Sequence, residues 1–146
     1  MANYWHNIGK PEAPATWATL WQSLRDNSVV TAGFGNQSGG RGHVIVTRYQ
    51  PGDRVFAYAN GFGLIGYGEA IGPHTATLRD TARNGSNHRH EASIIWTASL
   101  ELDEAISPLA IMQAAEVRHP RQTSERVPNA AADELRSVVD DQIGLR

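Results

Sequence analysis

The alternation of polar and apolar positions is clearest in residues 52–72, which read GDRVFAYANGFGLIGYGEAIG. Residues 54–58 alternate and carry the β-branched and aromatic side chains that are typical of a half-buried strand. Residues 60–63, Asn-Gly-Phe-Gly, tolerate the positive φ of a tight reversal, and residues 64–71 return as a second strand. The glycines of this second strand indicate a bulge or the close approach of another backbone. We therefore predict a glycine-rich hairpin at the centre of the fold.

Three further segments show helical periodicity. In residues 15–25 the apolar side chains recur at i, i+3, i+4 and i+7, which places them on one stripe of a helix. Ser107 before Pro108 is a typical helix start and predicts a helix over residues 108–117. Residues 129–143 are amphipathic and predict a C-terminal helix.

Other apolar runs predict the remaining strands. Residues 4–8, 28–34 and 88–102 are each rich in aromatic or β-branched side chains. Residues 43–49 fit a strand or a short ordered connection, and residues 76–82 fit a strand or a loop. Because successive strands are joined by short turns, an antiparallel, curled sheet is favoured over βαβ units. The pattern predicts an α+β fold, a small barrel flanked by helices.

Length and composition are those of one soluble domain. A chain of 146 residues with 40% hydrophobic content is large enough for a single core. No apolar run approaches the roughly 18 residues that a membrane helix requires, and no N-terminal signal pattern is present. The chain has no cysteine, which excludes disulfides and thiolate chemistry and favours a cytoplasmic location.

The charge of the chain is unevenly distributed. The formal net charge is −2, but residues 1–100 carry a balance of +2 and residues 101–146 a balance of −4. Of the 13 basic residues, 12 are arginine, the side chain suited to bidentate phosphate contacts and to stacking. A mildly basic segment 1–100 beside an acidic segment 101–146 is compatible with a local nucleic-acid-binding surface but does not require one.

Catalytic patterns are weak. The spacing Gly61-x-Gly63-x-x-Gly66 matches the dinucleotide-binding motif, but we reject this interpretation because no helix is predicted to begin at the third glycine. A G-x-S-x-G elbow is absent, and the acidic side chains show no spacing for general acid–base catalysis. His88 and His90 on one strand would point the same way and leave a metal-dependent enzyme as an alternative, although no third ligand is evident.

Aromatic residues at element ends indicate a binding pocket. Phe62 lies between two glycines at the hairpin tip, Trp17 begins a helix, and Phe34 borders a glycine-rich loop. Trp21 is better explained as core, whereas Trp96 fits the core and a pocket equally well. Rings at element ends can line a concave site, and stacking a planar base between them contributes about 1–3 kcal/mol.

Taken in order, these motifs resemble the PUA-like superfamily, and within it the EVE and EVE-like domains that are related to YTH and ASCH domains. The motifs are Asn3-Tyr4-Trp5, Trp17, residues 29–34 (VVTAGF), residues 51–55 (PGDRV), Ala57-Tyr58, residues 65–70 (IGYGEA) and His88-Arg89-His90 leading to Ile95-Trp96. Their order and approximate spacing agree across residues 3–100. The helices from Pro108 onward have no match in this pattern.

The resemblance implies a PUA-like curved antiparallel or mixed β-barrel of five to six strands flanked by two to four helices. It implies one EVE-like domain over residues 1–146, with a helical C-terminal extension from about residue 106. It further implies a non-enzymatic reader of modified nucleic acid, which binds a flipped or unpaired methylated base in an aromatic pocket. Methylcytosine in DNA is the expected target, and DNA is expected in preference to RNA.

The resemblance also implies which residues carry this function, without a cofactor or a metal. The expected pocket residues are Tyr4, Trp5, His6, Trp17, Phe34, Asn60, Phe62 and Trp96. The expected backbone contacts are Arg41, Arg83, His88 and Arg89. A separately encoded nuclease or other effector is an expected partner, and membrane binding is not expected. If the protein binds DNA, it would be found at the nucleoid. A small-molecule or protein-binding module on the same fold is the alternative.

Overall fold

The computed structural model describes residues 1–33, 40–71, 76–83 and 85–146, without the side chain of Ala76. The strands are β1 (Asn3–Asn7), β2 (Val29–Ala32), β3 (Arg54–Ala59), β4 (Gly63–Ala70), β5 (Ala76–Leu78), β6 (His90–Ser99) and β7 (Ser124–Arg126). The helices are α1 (Trp17–Asn27), α2 (Arg41–Thr47), α3 (Pro108–Ala115) and α4 (Asn129–Gly144), with a 3-10 turn at Leu102–Glu104. No helix in these ranges is both long enough and apolar enough to cross a membrane.

The strands form one mixed sheet. Their order is β2-β6-β4-β3-β1-β7, and β5 pairs with β6 beside this path. β1 and β3 are parallel, whereas the other pairs are antiparallel. This confirms the predicted α+β class with a mixed sheet. The described ranges contain seven strands rather than five to six, because β7 is only three residues long and too short to produce a periodic pattern.

The sheet curls until its two sides meet. β2 and β1 are four places apart in the strand order, which in a flat sheet would separate them by about 19 Å. In the structure, however, Nε2 of His6 on β1 lies 2.8 Å from the carbonyl oxygen of Thr31 on β2. His6 thus closes the seam of a barrel-like sheet with a side chain, where no strand pairing exists.

The two faces of the sheet are covered by different helices. Along β3, Val55, Ala57 and Ala59 point to the inner face, and Phe56 and Tyr58 point to the outer face, as the two-residue period requires. Apolar side chains of α1 and α2 complete the inner face, and those of α3 and α4 cover the outer face. The alternation predicted for the hairpin therefore supplies both cores.

Residues 43–49 are the main local correction. They were predicted as a strand or a short connection, because His-Val-Ile-Val-Thr is rich in β-branched residues. The structure shows helix α2 (Arg41–Thr47), which buries Ile45 and Val46, followed by the buried Tyr49. Packing against the inner face at this site outweighs the local strand propensity.

The other predicted elements are confirmed. α1, α3 and α4 lie within a few residues of their predicted bounds, and the hydroxyl of Ser107 accepts a hydrogen bond from the Ala110 N–H at 3.2 Å as a helix cap. In the hairpin, Gly66 allows the close backbone approach that its glycine predicted, since a Cβ there would lie 2.6 Å from the Ala98 oxygen.

Candidate nucleic-acid interface

A polar cleft of about 420 Å³ opens where β1, β2 and β3 end. We call it the strand-end cleft. It is lined by Asn7, Gly9, Lys10, Gly33, Asn60, Asn87, His88, Arg121, Gln122 and Thr123. Asn7 is the last residue of β1, Gly33 follows β2, and Asn60 follows β3, so the strand ends themselves place these groups together.

Two asparagine side chains meet at one wall of the cleft. Nδ2 of Asn7 donates to Oδ1 of Asn60 at 3.0 Å, and Oδ1 of Asn7 accepts from the Gly9 N–H at 3.3 Å. Asn60 is exposed, and because its Oδ1 accepts from Asn7, its Nδ2 is the donor end of the amide. Such an amide is suited to the polar edge of a base.

His88 supplies the one ring among the described residues of the cleft. The imidazole lies between Gly9 and Gly33, where a Cβ on either glycine would collide with it. Its Nδ1 is 3.3 Å from Oγ1 of Thr31. Burial lowers the pKa of His88, so its imidazole is neutral at pH 7. The predicted phosphate contact of His88 stays a prediction: a neutral imidazole carries no positive charge but keeps one N–H donor.

The rim of the cleft is basic. Lys10 and Arg121 line it, and no Asp or Glu is present among its described lining residues. The nearby carboxylate of Glu125 accepts hydrogen bonds from the backbone N–H groups of Arg121 and Gln122, at 2.7 and 2.8 Å. Glu125 thus fixes the backbone that carries Arg121, and the overall negative charge of the chain does not extend into the cleft.

A second, smaller hollow of about 230 Å³ adjoins the cleft between α2 and β7. We call it the α2–β7 hollow. It is lined by Arg41, Val44, Ile45, Arg48, Gln122, Thr123 and Ser124. Its described lining also contains no carboxylate, and two residues, Gln122 and Thr123, belong to both hollows. The two spaces are therefore neighbours with one wall in common.

A buried polar chain runs behind both hollows. Nε2 of His6 donates to the Thr31 carbonyl, so Nδ1 of the neutral ring accepts from the Tyr49 hydroxyl at 2.6 Å. The Tyr49 hydroxyl also lies 2.8 Å from Oγ of Ser124. Burial lowers the pKa of His6 to about 4 and raises that of Tyr49, so both groups are neutral near pH 7. His6 was predicted to contact a base edge, but both of its ring nitrogens are engaged inside the protein.

The N-terminal aromatic residues are core residues rather than pocket walls. Trp5 is 1% exposed and packs on the outer face among Phe56 and Tyr58. Tyr4 is 8% exposed and contacts Tyr49 edge to face on the inner face. Adjacent residues of a strand point to opposite faces, so Tyr4 and Trp5 belong to different cores. Their predicted role in an open aromatic pocket is corrected.

Among the other predicted pocket rings that the structure describes, Trp17 and Phe62 contact each other, whereas Trp96 contacts Trp21. Trp17 and Phe62 form an edge-to-face pair with centroids 6.0 Å apart, and Phe62 is 37% exposed. Trp96 packs edge to face on Trp21, and its Nε1 donates to the Leu24 carbonyl at 3.2 Å. Trp21 itself is fully buried, as predicted. Phe34, by contrast, lies outside the described residues.

The arginines predicted to contact phosphates lie in different surroundings. Arg83 is engaged internally: Nε and Nη2 donate to the Glu91 carboxylate at 2.6 and 3.0 Å, and Nη1 donates to Asn27 at 2.9 Å. This corrects its assignment, because a guanidinium bound in this way offers no free fork to a phosphate. Nε of Arg89 donates to the Arg79 carbonyl at 2.7 Å. Arg41 is exposed and borders the α2–β7 hollow.

The predicted histidine pair is not a pair. β6 begins at His90, so His88 precedes the strand and strand alternation does not apply to it. His90 instead lies beside His43, with ring centroids 6.3 Å apart. Among the residues described, no group of three or more His, Cys, Asp or Glu side chains is arranged to hold a metal ion.

Sequence reasoning missed most of the cleft, including Asn7, Lys10, Asn87, Arg121 and Gln122. One available signal was the run RHPRQTSER at residues 118–126, which holds three arginines and a histidine against one glutamate. The acidic balance of the C-terminal part concealed this run. The contribution of Asn7 had no signal, because only the fold brings the ends of β1 and β3 together.

No protein-family model matches the chain, and no curated protein matches it in sequence. Solved structures do match. A crystal structure of the Mmi1 YTH domain in complex with RNA aligns with a TM-score of 0.60 at 10% identity, over 99% of this chain and 82% of that one. The YTH domain of Zygosaccharomyces rouxii MRB1, in complex with N6-methyladenosine RNA, aligns with a TM-score of 0.56 at 12% identity, over 94% and 83%. This chain has the fold of a YTH domain.

The structural match confirms the fold that the motif order implied. YTH domains were among the relatives that the resemblance named, and the alignment extends through α3 and α4, which the motifs did not cover. At 10 to 12% identity the likeness concerns the fold alone. Membership of the EVE group in particular stays a prediction.

Proposed function

We propose that this protein is a non-enzymatic nucleic-acid binder that holds an unpaired, modified base in the strand-end cleft. The observation that carries the proposal is the composition of the cleft. Amide groups of Asn60 and Asn87 and the neutral ring of His88 surround a space rimmed by Lys10 and Arg121, without a carboxylate in its described lining. Polar groups of this kind suit a base edge, and the cations suit its phosphates.

The fold supports the same proposal. Two YTH domains of this fold were solved as complexes with RNA, one of them with N6-methyladenosine RNA. Our expectation of methylcytosine in DNA has no counterpart in these complexes. The proposal therefore names a methylated base on a single strand, with RNA and DNA as separate arms of its test.

Discrimination between methylated and plain bases is expected to be modest. Burial of one methyl group contributes about 0.8 kcal/mol, which corresponds to roughly a fourfold preference before ring contacts are added. Phe34 directly follows Gly33 in the sequence, and Gly33 lines the cleft. The resemblance makes Phe34 a pocket ring, so we propose it as the residue that adds to this preference.

Fluorescence anisotropy with short single-stranded oligonucleotides tests the proposal. The panel pairs plain RNA and DNA with strands that carry one N6-methyladenosine or one methylcytosine, at several salt concentrations. We expect binding that weakens with salt, a preference for one methylated strand, and loss of that preference in Phe34→Ala. Asn60→Ala should weaken binding to plain and methylated strands alike, because the amide contacts the edge of the base in both.

Arg136→Gln is the matched control, because Arg136 is an exposed arginine on α4, which covers the opposite face of the sheet. It should bind like the wild type. If the wild-type protein binds none of the strands, or binds methylated and plain strands equally, the proposal of a modified-base reader is wrong. A protein that binds free nucleosides but none of the strands would instead support the small-molecule alternative.

A further inference from the structure

The wall between the two hollows is a short, fixed piece of backbone. The Asn7 N–H, at the end of β1, donates to the Thr123 carbonyl at 2.8 Å. This bond holds the segment that enters β7 against the end of β1. Since Thr123 and Gln122 line both spaces, an extended ligand in the strand-end cleft can continue into the α2–β7 hollow over this wall.

The guanidinium of Arg48 in this hollow is held by a backbone carbonyl and has no carboxylate partner among the described residues. Nη1 of Arg48 donates to the Ser124 carbonyl at 3.2 Å. Within the described part of the chain, Arg48 has no carboxylate within 4.0 Å and no other hydrogen bond. One nitrogen thus orients the planar group, and its other N–H donors remain available for an anion.

The surroundings of Arg48 favour an anion. Ser124 pairs with His6 on the inner side of β1, whereas Glu125 pairs with Trp5, so the Glu125 side chain leaves β7 on the opposite face of the sheet. Its carboxylate accepts hydrogen bonds from the backbone N–H groups of Arg121 and Gln122 and not from Arg48. The apolar side chains of Val44 and Ile45 form another part of the lining. The described lining of the hollow therefore holds no negative charge that would compete with an anion at Arg48.

We propose that the α2–β7 hollow is a phosphate subsite in which Arg48 binds the phosphodiester next to the base held in the strand-end cleft. This inference rests on the proposed function and deepens it: the ligand is a nucleotide within a strand, not a free base or nucleoside. A phosphodiester carries one negative charge and two unesterified oxygens, which match the donors that a guanidinium offers on one edge.

The test compares Arg48→Gln with Arg136→Gln on two ligands, the preferred oligonucleotide and its central modified nucleoside. For the oligonucleotide we expect Arg48→Gln to lower the affinity about tenfold. The slope of log K against log salt should fall by about 0.7, as for one lost phosphate contact on a single strand. Nucleoside binding should not change, and Arg136→Gln should change neither ligand. Arg48→Lys, which keeps the charge but not the planar fork, should restore the slope and only part of the affinity.

The outcomes separate this inference from the function it rests on. An Arg48→Gln protein that binds the oligonucleotide with the wild-type affinity and salt slope overturns the subsite and leaves the reader proposal intact. An equal loss on oligonucleotide and nucleoside also overturns it, because Arg48 would then act through the shape of the cleft. A wild-type protein that binds no strand overturns both. Circular dichroism and thermal unfolding of each variant show whether a loss of affinity is caused by misfolding. If Arg48→Gln does not fold, Arg48→Lys is compared with the wild type instead.

Discussion

At the scale of single residues, His6 shows how a polar side chain becomes structural. Its two ring nitrogens bridge Thr31 on β2 and Tyr49 after α2, so one imidazole joins three elements that are distant in sequence. A buried polar group of this kind is tolerated only when its hydrogen bonds are satisfied. The neutral form satisfies both contacts, because one nitrogen donates and the other accepts.

The neutrality of His6 predicts a pH dependence of stability. Burial lowers the pKa of His6 from 6.5 to about 4 in the folded protein. Between these values the unfolded chain binds a proton that the folded chain does not, so the free energy of unfolding falls as the pH falls. We expect this group to contribute a loss of about 1.4 kcal/mol per pH unit within that window.

Urea unfolding of the wild type and of His6→Gln, between pH 4.5 and 7, measures this contribution. The variant should be less stable at pH 7 and should show a shallower pH dependence by about one proton. An NMR titration of the His6 ring in the folded protein checks the assignment independently. A ring that titrates near 6.5 would contradict the prediction.

At the scale of elements, α2 shows packing that prevails over propensity. Its glycine, Gly42, is buried within the helix, where a glycine normally costs about 1 kcal/mol relative to alanine. A Cβ at Gly42 would run into the Gly33 carbonyl and approach the His90 ring. The glycine is therefore explained by the contact between α2 and the end of β2, not by the helix itself.

Gly42→Ala is predicted to destabilise the protein by about 1–3 kcal/mol in spite of the better helix propensity of alanine, since the added methyl group forces a shift of the backbone. Gly144→Ala is the matched control: Gly144 also lies in a helix, α4, and an added Cβ meets nothing within 4 Å. It should be neutral or stabilising by up to about 1 kcal/mol. Thermal unfolding of both variants tests the contrast, and a Gly42→Ala protein as stable as Gly144→Ala would refute the contact as the cause.

At the scale of the whole molecule, the C-terminal helices complete the outer core. Ala132, Leu135 and Val139 of α4 are fully buried against the cluster that contains Trp5 and Phe56. The hydroxyl of Tyr67 on β4 also donates to Asp140 at 2.8 Å. The segment from about residue 106, which the motif pattern left unmatched, therefore packs on the sheet that positions the cleft.

A chain that ends at residue 128 is predicted not to fold, because removal of α4 exposes the apolar outer face of the sheet to water. A chain that ends at residue 144 should fold. It loses the contacts of Arg146 with Glu104 and the Ser99 carbonyl, which are exposed and contribute little. Near-UV circular dichroism and cooperative urea unfolding distinguish the two chains. Cooperative unfolding of the shorter chain would contradict the prediction, because it would show that the sheet folds without α4.

Elements with a local hydrophobic pattern could be predicted from the chain alone. The hairpin of β3 and β4, the stripe of α1, the Ser107 cap of α3 and the amphipathic α4 all follow from spacing and caps within about ten to sixteen residues. The order of the motifs added the resemblance to a family of known fold. These features are predictable because side-chain periodicity records which face of an element is buried, whatever it is buried against.

The contact partners of individual side chains, in contrast, follow from the tertiary fold. The sequence shows Arg83 as a cation and Trp5 as a ring, but Glu91 neutralises the first and the outer core encloses the second. The parallel pairing of β1 with β3 places Asn7 beside Asn60, and the helical form of α2 places Arg48 beside Ser124. The contacts of Asn7 with Asn60 and of Arg48 with Ser124 join residues 53 and 76 positions apart, whereas Arg83 and Glu91 are 8 positions apart. Local periodicity records that a group is buried or exposed, whereas its partner is set by how the whole sheet curls.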